Sequence, residues 1–169
     1  MISDPPKASF APVCDSRTRM LILGSLPGDV SLARGEYYAR PRNQFWRLMG
    51  RVLGADPPDR YAARLAVLTE AGVGLWDVLR TARRAGSLDG AIRDPSPNPL
   101  ADFAASLPHL RAIAFNGRAA ATIGTRMLAK TDALTLICLP SSSPAHTMAF
   151  ERKAAAWLVL RRHVDPRPG

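Results

Sequence analysis

The chain has 169 residues, 47% hydrophobic and 22% charged, the balance and length of one globular domain. No run of about 18 apolar residues occurs, which excludes a membrane-spanning helix; the longest charge-free stretch, Ala133 to Phe150, is broken by Pro140, Ser141 to Ser143 and Pro144. Lys and Arg number 23 against 14 Asp and Glu, and the resulting charge of +9 attracts polyanions, chiefly nucleic acid, through phosphate neutralisation. Only Lys7, Lys130 and Lys153 are lysines, so the excess is nearly all arginine. An arginine bias also fits a GC-rich genome, which leaves the charge alone undecided between the two causes. Cys14 and Cys138 are too few for a disulfide scaffold or a four-cysteine zinc site. The stretch MISDPPKASF lacks a basic start followed by an apolar segment, so a cytoplasmic rather than a secreted protein is expected.

In chain order, residues 1–18, rich in Pro, Asp and Ser, read as a loose N-terminal tail. The domain proper is expected over 19–164, with a second tail over 165–169. Met20–Leu23 is a buried strand. Phe45, Leu48, Met49, Val52 and Leu53 then recur at helical spacing, with Arg47 and Arg51 off that face. Residues 60–71 form a second helical segment, Val73–Trp76 a strand, Arg111–Phe115 a strand and 118–129 a third helix. Leu134–Leu139 is the last strand, and Cys138 within it is expected in the core. A final helix runs from Met148 to His163, with Phe150, Ala154, Trp157 and Leu158 inward and Thr147 as its N-cap. Alternating strands and helices predict a mainly parallel four-stranded sheet covered on both faces. Ligands bind such sheets beyond the carboxyl ends of the strands. That rule selects three loops, 24–43, 116–118 and 140–147.

The first loop, GSLPGDVSLARGEYYARPRN, opens with a turn at Gly24, Pro27 and Gly28 where backbone N–H groups can approach an anion. Tyr37, Tyr38, Phe45 and Trp46 follow, interleaved with Arg34, Arg40, Arg42, Arg47 and Arg51, and only Glu36 opposes that charge. Aromatic rings stack bases and arginines neutralise phosphates, so the mixture suits a nucleic-acid site. The alternative places Phe45 and Trp46 in the core with a solvated arginine face. Asn43 stands where an N-cap belongs, and Asn116, in FNG, where positive φ is tolerated. The third loop, PSSSPAHT, offers three hydroxyls and His146 between a strand and a helix, a setting suited to phosphate contacts. Asp77, in GLWD at a strand end, is the remaining acidic candidate, with a structural role weighed above a functional one.

GSLPG, YYARPRNQFW, AFNG and LPSSSPAH, in that order and at strand ends, resemble the motifs of the uracil-DNA glycosylase superfamily, and most closely its hypoxanthine-DNA glycosylase branch. The resemblance covers about residues 20–160. It implies an α/β/α sandwich and a monofunctional, monomeric glycosylase that hydrolyses a deaminated base, uracil or hypoxanthine, from DNA with no metal or organic cofactor and no membrane partner. Carried onto this chain, it makes Phe45 the face for the flipped base, Tyr37 and Tyr38 pocket walls, and Ser25, Leu26 and Asn116 base contacts. Gly24 is followed by Ser25, which cannot serve as a carboxylate base, so the working amide falls on Asn43, with His146 as a second catalytic candidate. Ser141, Ser142 and Ser143 resemble a phosphate-pinching loop, with Pro144 and Ala145 in the wedge region and Arg40 and Arg42 beside the DNA. Arg40 departs from the histidine common in the branch. The lysines lie outside the motifs, so simple hydrolysis is expected rather than a Schiff base. Two other readings stay open: an inactive DNA-binding module of the same fold, and a hydrolase acting on nucleotides.

Overall fold

The computed structural model describes residues 5–164. Residues 1–4 and the tail expected over 165–169 lie outside that range. Four strands form a parallel sheet in the order β3-β2-β6-β7: β2 (Met20–Gly24), β3 (Val73–Asp77), β6 (Ala112–Asn116) and β7 (Thr135–Leu139). The first three are buried along their whole length, as expected of strands covered on both faces, which read as continuous apolar runs. Side-chain alternation sends Met20 and Ile22 to one face of the sheet and Leu21 and Leu23 to the other. Against the first face pack α2 (Phe45–Leu53), α3 (Tyr61–Glu70) and α6 (Phe150–Trp157); against the second, α4 (Leu100–Ala105) and α5 (Arg118–Met127). The result is the expected three-layer α/β/α arrangement. No helix of the described residues is long and apolar enough to cross a membrane.

Several local expectations change. Residues 7–18 are tied down rather than loose. The short strand β1 (Lys7–Ala8) pairs with Ala82 and Thr81, Val13 exchanges two backbone hydrogen bonds of 2.8 Å with Leu75, and the Trp76 indole donates to the Phe10 carbonyl. This segment thereby covers the open edge of β3. A hairpin of β4 (Leu79–Arg84) and β5 (Ile92–Pro97) joins β1 in an antiparallel sheet. Its Arg- and Pro-rich strands carry little apolar alternation, so no strand signal shows in the sequence. Helix α1 (Asp29–Arg34) occupies part of the first loop. The final helix starts only at Phe150, with Ala149 at its N-cap and no side-chain cap from Thr147, and turns into 3-10 geometry over Leu158–His163. That change of winding leaves Leu158 36% exposed instead of inward. Cys138 is exposed, because β7 is an edge strand flanked on one side only.

Trp157 joins the first-face core to the loop after β7. It is fully buried, its indole N–H donates to the Pro140 carbonyl at 2.9 Å, and its ring meets that of Phe45 edge-on at 5.9 Å. Truncating a large buried aromatic costs about 3–5 kcal/mol. Trp157→Ala is therefore expected to lose most of the chain's margin of stability in urea unfolding followed by far-ultraviolet circular dichroism.

Candidate active site

The carboxyl ends of β2, β3 and β6, the loop following β7 and the tip of the β4–β5 hairpin surround one cavity of about 530 Å³. Gly24 of β2 pairs in register with Asp77 of β3, and Asn116 ends β6, so three strand ends deliver their last residues to one floor. Gly24 must be glycine there. A β-carbon would lie 2.7 Å from Asp77 Oδ1 and 3.2 Å from the Tyr38 hydroxyl. Side chains are thus packed onto the bare backbone of the first strand end.

Among the described residues, two buried side-chain polar atoms lack a hydrogen-bond partner, Asp77 Oδ2 and Tyr38 Oη, and both residues line this cavity. Buried polar groups are nearly always satisfied, so a pair of orphans on one wall marks a place where a ligand completes the bonding. Burial raises the Asp77 carboxyl to about 7, against the opposing pull of Arg84 and with a smaller push from Asp89. Burial also raises the Tyr38 phenol, Asp77 adding to the effect. Tyr38 holds φ at +54°, unusual for a residue with a β-carbon, and its ring stacks on Phe45 at 3.9 Å and 16°. Phe45 itself is fully buried and does not line the cavity. Of the two stacked rings only Tyr38 lines the cavity, with Phe45, expected as the stacking face, behind it.

Asn43 and Asn116 are joined through Ser142. Asn116 Nδ2 donates to Ser142 Oγ at 2.9 Å, the Ser142 backbone N–H donates to Asn116 Oδ1 at 2.8 Å, and the Ser142 hydroxyl donates to Asn43 Oδ1 at 2.8 Å. Asn43 Oδ1 also accepts the Phe45 backbone N–H at 3.0 Å, immediately before α2. Two donors on one oxygen fix which way the amide points, so Nδ2 is the group left to donate into the cavity. The N-cap of α2 is Gln44, without a side-chain cap bond, so Asn43 is not the expected cap; it anchors the residue that opens the helix through its oxygen and keeps Nδ2 unbonded among the described residues. Ser142 is 1% exposed and wholly used in this bridge, so it does not touch phosphates.

The other expected residues divide. Ser25 and Leu26 are nearly buried in the cavity wall, and Tyr37, buried, donates its hydroxyl to the Ala11 carbonyl. Ser141, Ser143, Pro144, Ala145, His146 and Arg40 line the cavity, while Arg42 is exposed outside its lining. The Ser141 and Ser143 oxygens accept N–H groups of Ser143 and Ala145, which leaves their O–H protons free to donate. Trp46 is core, and Arg47 and Arg51 lie over the Phe150 ring at 4.0 and 5.3 Å, Arg51 pairing with Glu151. That half of the aromatic and arginine cluster is the solvated face of α2. Lys153 is buried behind the third loop, donating to Gln44 Oε1 and the Ser143 carbonyl. Among the described residues no His, Cys, Asp and Glu side chains are grouped as metal ligands.

Two polar residues, Asp89 and Arg84, enter the site without a motif to announce them, beside Asp77, the acidic candidate of GLWD. Asp77 ends a parallel strand, and the strand-end rule that selects the other three loops points to it equally. Asp89 and Arg84 arrive on the hairpin: Ser25 Oγ donates to Asp89 Oδ1 at 2.5 Å, and Arg84, 1% exposed, lies 3.7 Å from Asp89 and donates to the Pro27 carbonyl.

Because the folded carboxyl of Asp77 holds its proton to about pH 7 and a free one does not, the native state binds more protons between the two values. Stability is therefore full below the ordinary carboxylate range and falls as pH rises toward 7, by up to about 4 kcal/mol. Asp77→Asn removes that decline. Urea midpoints at pH 5 and pH 8 are expected to differ less in the variant than in the wild type, with the gain in the variant confined to the higher pH.

Comparison with known proteins gives the family. The Uracil DNA glycosylase superfamily pattern matches residues 11–162. A Hypoxanthine DNA glycosylase of Methanosarcina acetivorans is 37% identical over 158 residues, covering 93% of this chain and 99% of the relative. One of Methanosarcina barkeri is 38% identical over 152 residues, covering 89% and 95%. The NMR solution structure of a uracil DNA glycosylase homologue from Methanosarcina acetivorans superposes with a TM-score of 0.82 at 37% identity, covering 94% of this chain and 98% of that one. The chain belongs to the uracil DNA glycosylase superfamily and is, by that membership, a DNA glycosylase.

Proposed function

We propose that the chain excises hypoxanthine, and uracil with it, from DNA by simple hydrolysis, as a cytoplasmic monomer whose single catalytic domain, expected over 19–164, also takes in residues 7–18. The observation that carries this reading is the unpartnered Asp77 carboxyl on the floor of a cavity walled by Tyr38. Deamination replaces an amino group with a carbonyl beside a ring N–H, and hypoxanthine and uracil share that edge. A protonated carboxyl offers the matching pair, one O–H donor and one C=O acceptor. The relatives' name favours hypoxanthine; the shared edge argues for both bases.

The base leaves the duplex at a cost of a few kcal/mol and stacks on Tyr38, whose ring Phe45 holds from behind. Asp77 meets its lactam edge. As the glycosidic bond breaks, the electron pair passes to the base, and the fixed Nδ2 of Asn43 donates to that growing negative charge. The amide oxygen, already accepting two bonds, takes no part in handling water. At the rim, the Ser141 and Ser143 hydroxyls, Arg40 and His146 face the flanking phosphates, and the small Pro144 and Ala145 stand at the vacated stack. Lys153 is spent on holding the loop, so no amine is presented for a covalent intermediate.

Purified protein is expected to release free base from oligonucleotides with a single deoxyinosine or deoxyuridine, in EDTA, leaving an alkali-labile abasic site. No release from either at stoichiometric enzyme would leave a DNA-binding module of this fold. Asn43→Asp keeps the oxygen that Phe45 and Ser142 require and replaces only the donor. Loss of one such preorganised donor costs about 10²–10³ in rate, so single-turnover excision should fall by that factor while affinity for abasic-site DNA holds. Equal loss of both would make Asn43 a loop anchor alone.

A further inference from the structure

We propose that Asp89 is the catalytic carboxylate that accepts the proton of the attacking water, a role that rests on the glycosylase reading above. In the hydrolysis the water oxygen bonds to the sugar C1′ and the bond from C1′ to the base nitrogen breaks. The electron pair leaves with the base, and the water gives one proton to an acceptor. The cavity offers few acceptors for that proton: Asp29, also in its lining, is taken up in an ion pair with Lys7. Asp77 is 4% exposed and lies on the floor against Gly24, where the base edge is read. Asn43 Oδ1 and Asn116 Oδ1 already accept hydrogen bonds, and amide oxygens are weak bases. His146 is exposed at the rim.

Asp89 differs from all of these. It lines the same cavity as Asn43 and Tyr38, and its side chain is 42% exposed, so solvent reaches it. Oδ1 is held by the Ser25 hydroxyl, one residue beyond the end of β2, while Oδ2 has no hydrogen-bond partner among the described residues. The carrier is fixed from three sides. Arg84 bonds the Pro27 and Gly86 carbonyls, Lys7 donates to the Gly86 carbonyl at 2.8 Å, and Ser87 Oγ accepts the Asp29 N–H at 3.0 Å. A carboxylate pinned through one oxygen, its side chain partly open to solvent in the lining of the base cavity, is the arrangement a general base needs.

Asp89→Asn preserves the acceptor for Ser25 and removes the base. Single-turnover release from deoxyinosine or deoxyuridine DNA should fall by about 10²–10⁴, the range for a positioned general base. Affinity for DNA carrying a tetrahydrofuran abasic analogue should stay as in the wild type, and the variant should still unfold in one cooperative transition, lowered by the lost Arg84 pair. In Asp89→Ala, added formate should restore part of the rate and chloride none, a recovery that a merely structural role does not show. Excision by Asp89→Asn within about threefold of wild type, parallel loss of rate and affinity, or absence of formate rescue would each overturn the assignment. A wild-type protein that releases no base in the same assay would instead overturn the glycosylase reading.

Discussion

The Ser142 hydroxyl is the point on which the site's geometry turns. Alone among the three serines of its loop it is buried, and it receives a bond from Asn116 and gives one to Asn43. Those two asparagines come from separate elements, one at the end of β6 and one before α2, with the serine following β7. The bridge therefore locks three chain segments into one register. It also decides chemistry. By occupying the Asn43 oxygen it leaves only the amide N–H groups to act, and a donor is what a departing anionic base requires. Supporting bonds lie behind it: Gln44 N–H to the Ser142 carbonyl, Lys153 to the Ser143 carbonyl, and Trp157 to the Pro140 carbonyl. A loop of small polar residues is held this way as firmly as an element of secondary structure.

The charge distribution has an inside and an outside. The chain carries +9 overall, yet three acids line the cavity, Asp29, Asp77 and Asp89, all within the electrostatic reach of Arg84. Burial and the neighbouring Asp89 act on Asp77 in one direction and Arg84 in the other, and burial prevails. The two carboxyls consequently differ in kind: one dry and proton-bearing on the floor, the other wet and anchored to Ser25. Separate environments for paired carboxyls separate their roles. The arginine excess lies mostly outside the cavity, where a net positive charge attracts a polyanion at longer range.

Tyr38 and Phe45 show how the fold supports a recognition surface. A ring presented to solvent from an exposed loop would be a poor platform, since it would turn freely. Here the ring is stacked on a fully buried phenylalanine, itself packed edge-on against Trp46 and Trp157. The left-handed backbone at Tyr38 is the local strain that aims it there, and such strain persists only where packing over-determines it.

The amino-acid sequence by itself determined the parallel sheet, its four strands, the helical segments after Asn43 and over 60–71, and the strand-end loops that carry Asn43, Asn116 and the serines. Those features are written locally, in runs of Leu, Ile and Val, in helical spacing, and in Gly-Pro turns at strand ends. Tertiary structure alone decided which ring faces the cavity, since Phe45 and Tyr38 are both aromatic and differ only in what packs behind them. It alone converted Ser142 from a phosphate contact into a buried bridge, sent Arg47 and Arg51 to Phe150, and drew residues 7–18 onto the edge of β3. It also brought Asp89 to Ser25 across 64 positions of chain. Hydrogen bonds between residues so far apart leave no periodicity to read, because they follow from how strands and hairpin close in space rather than from the spacing of neighbours.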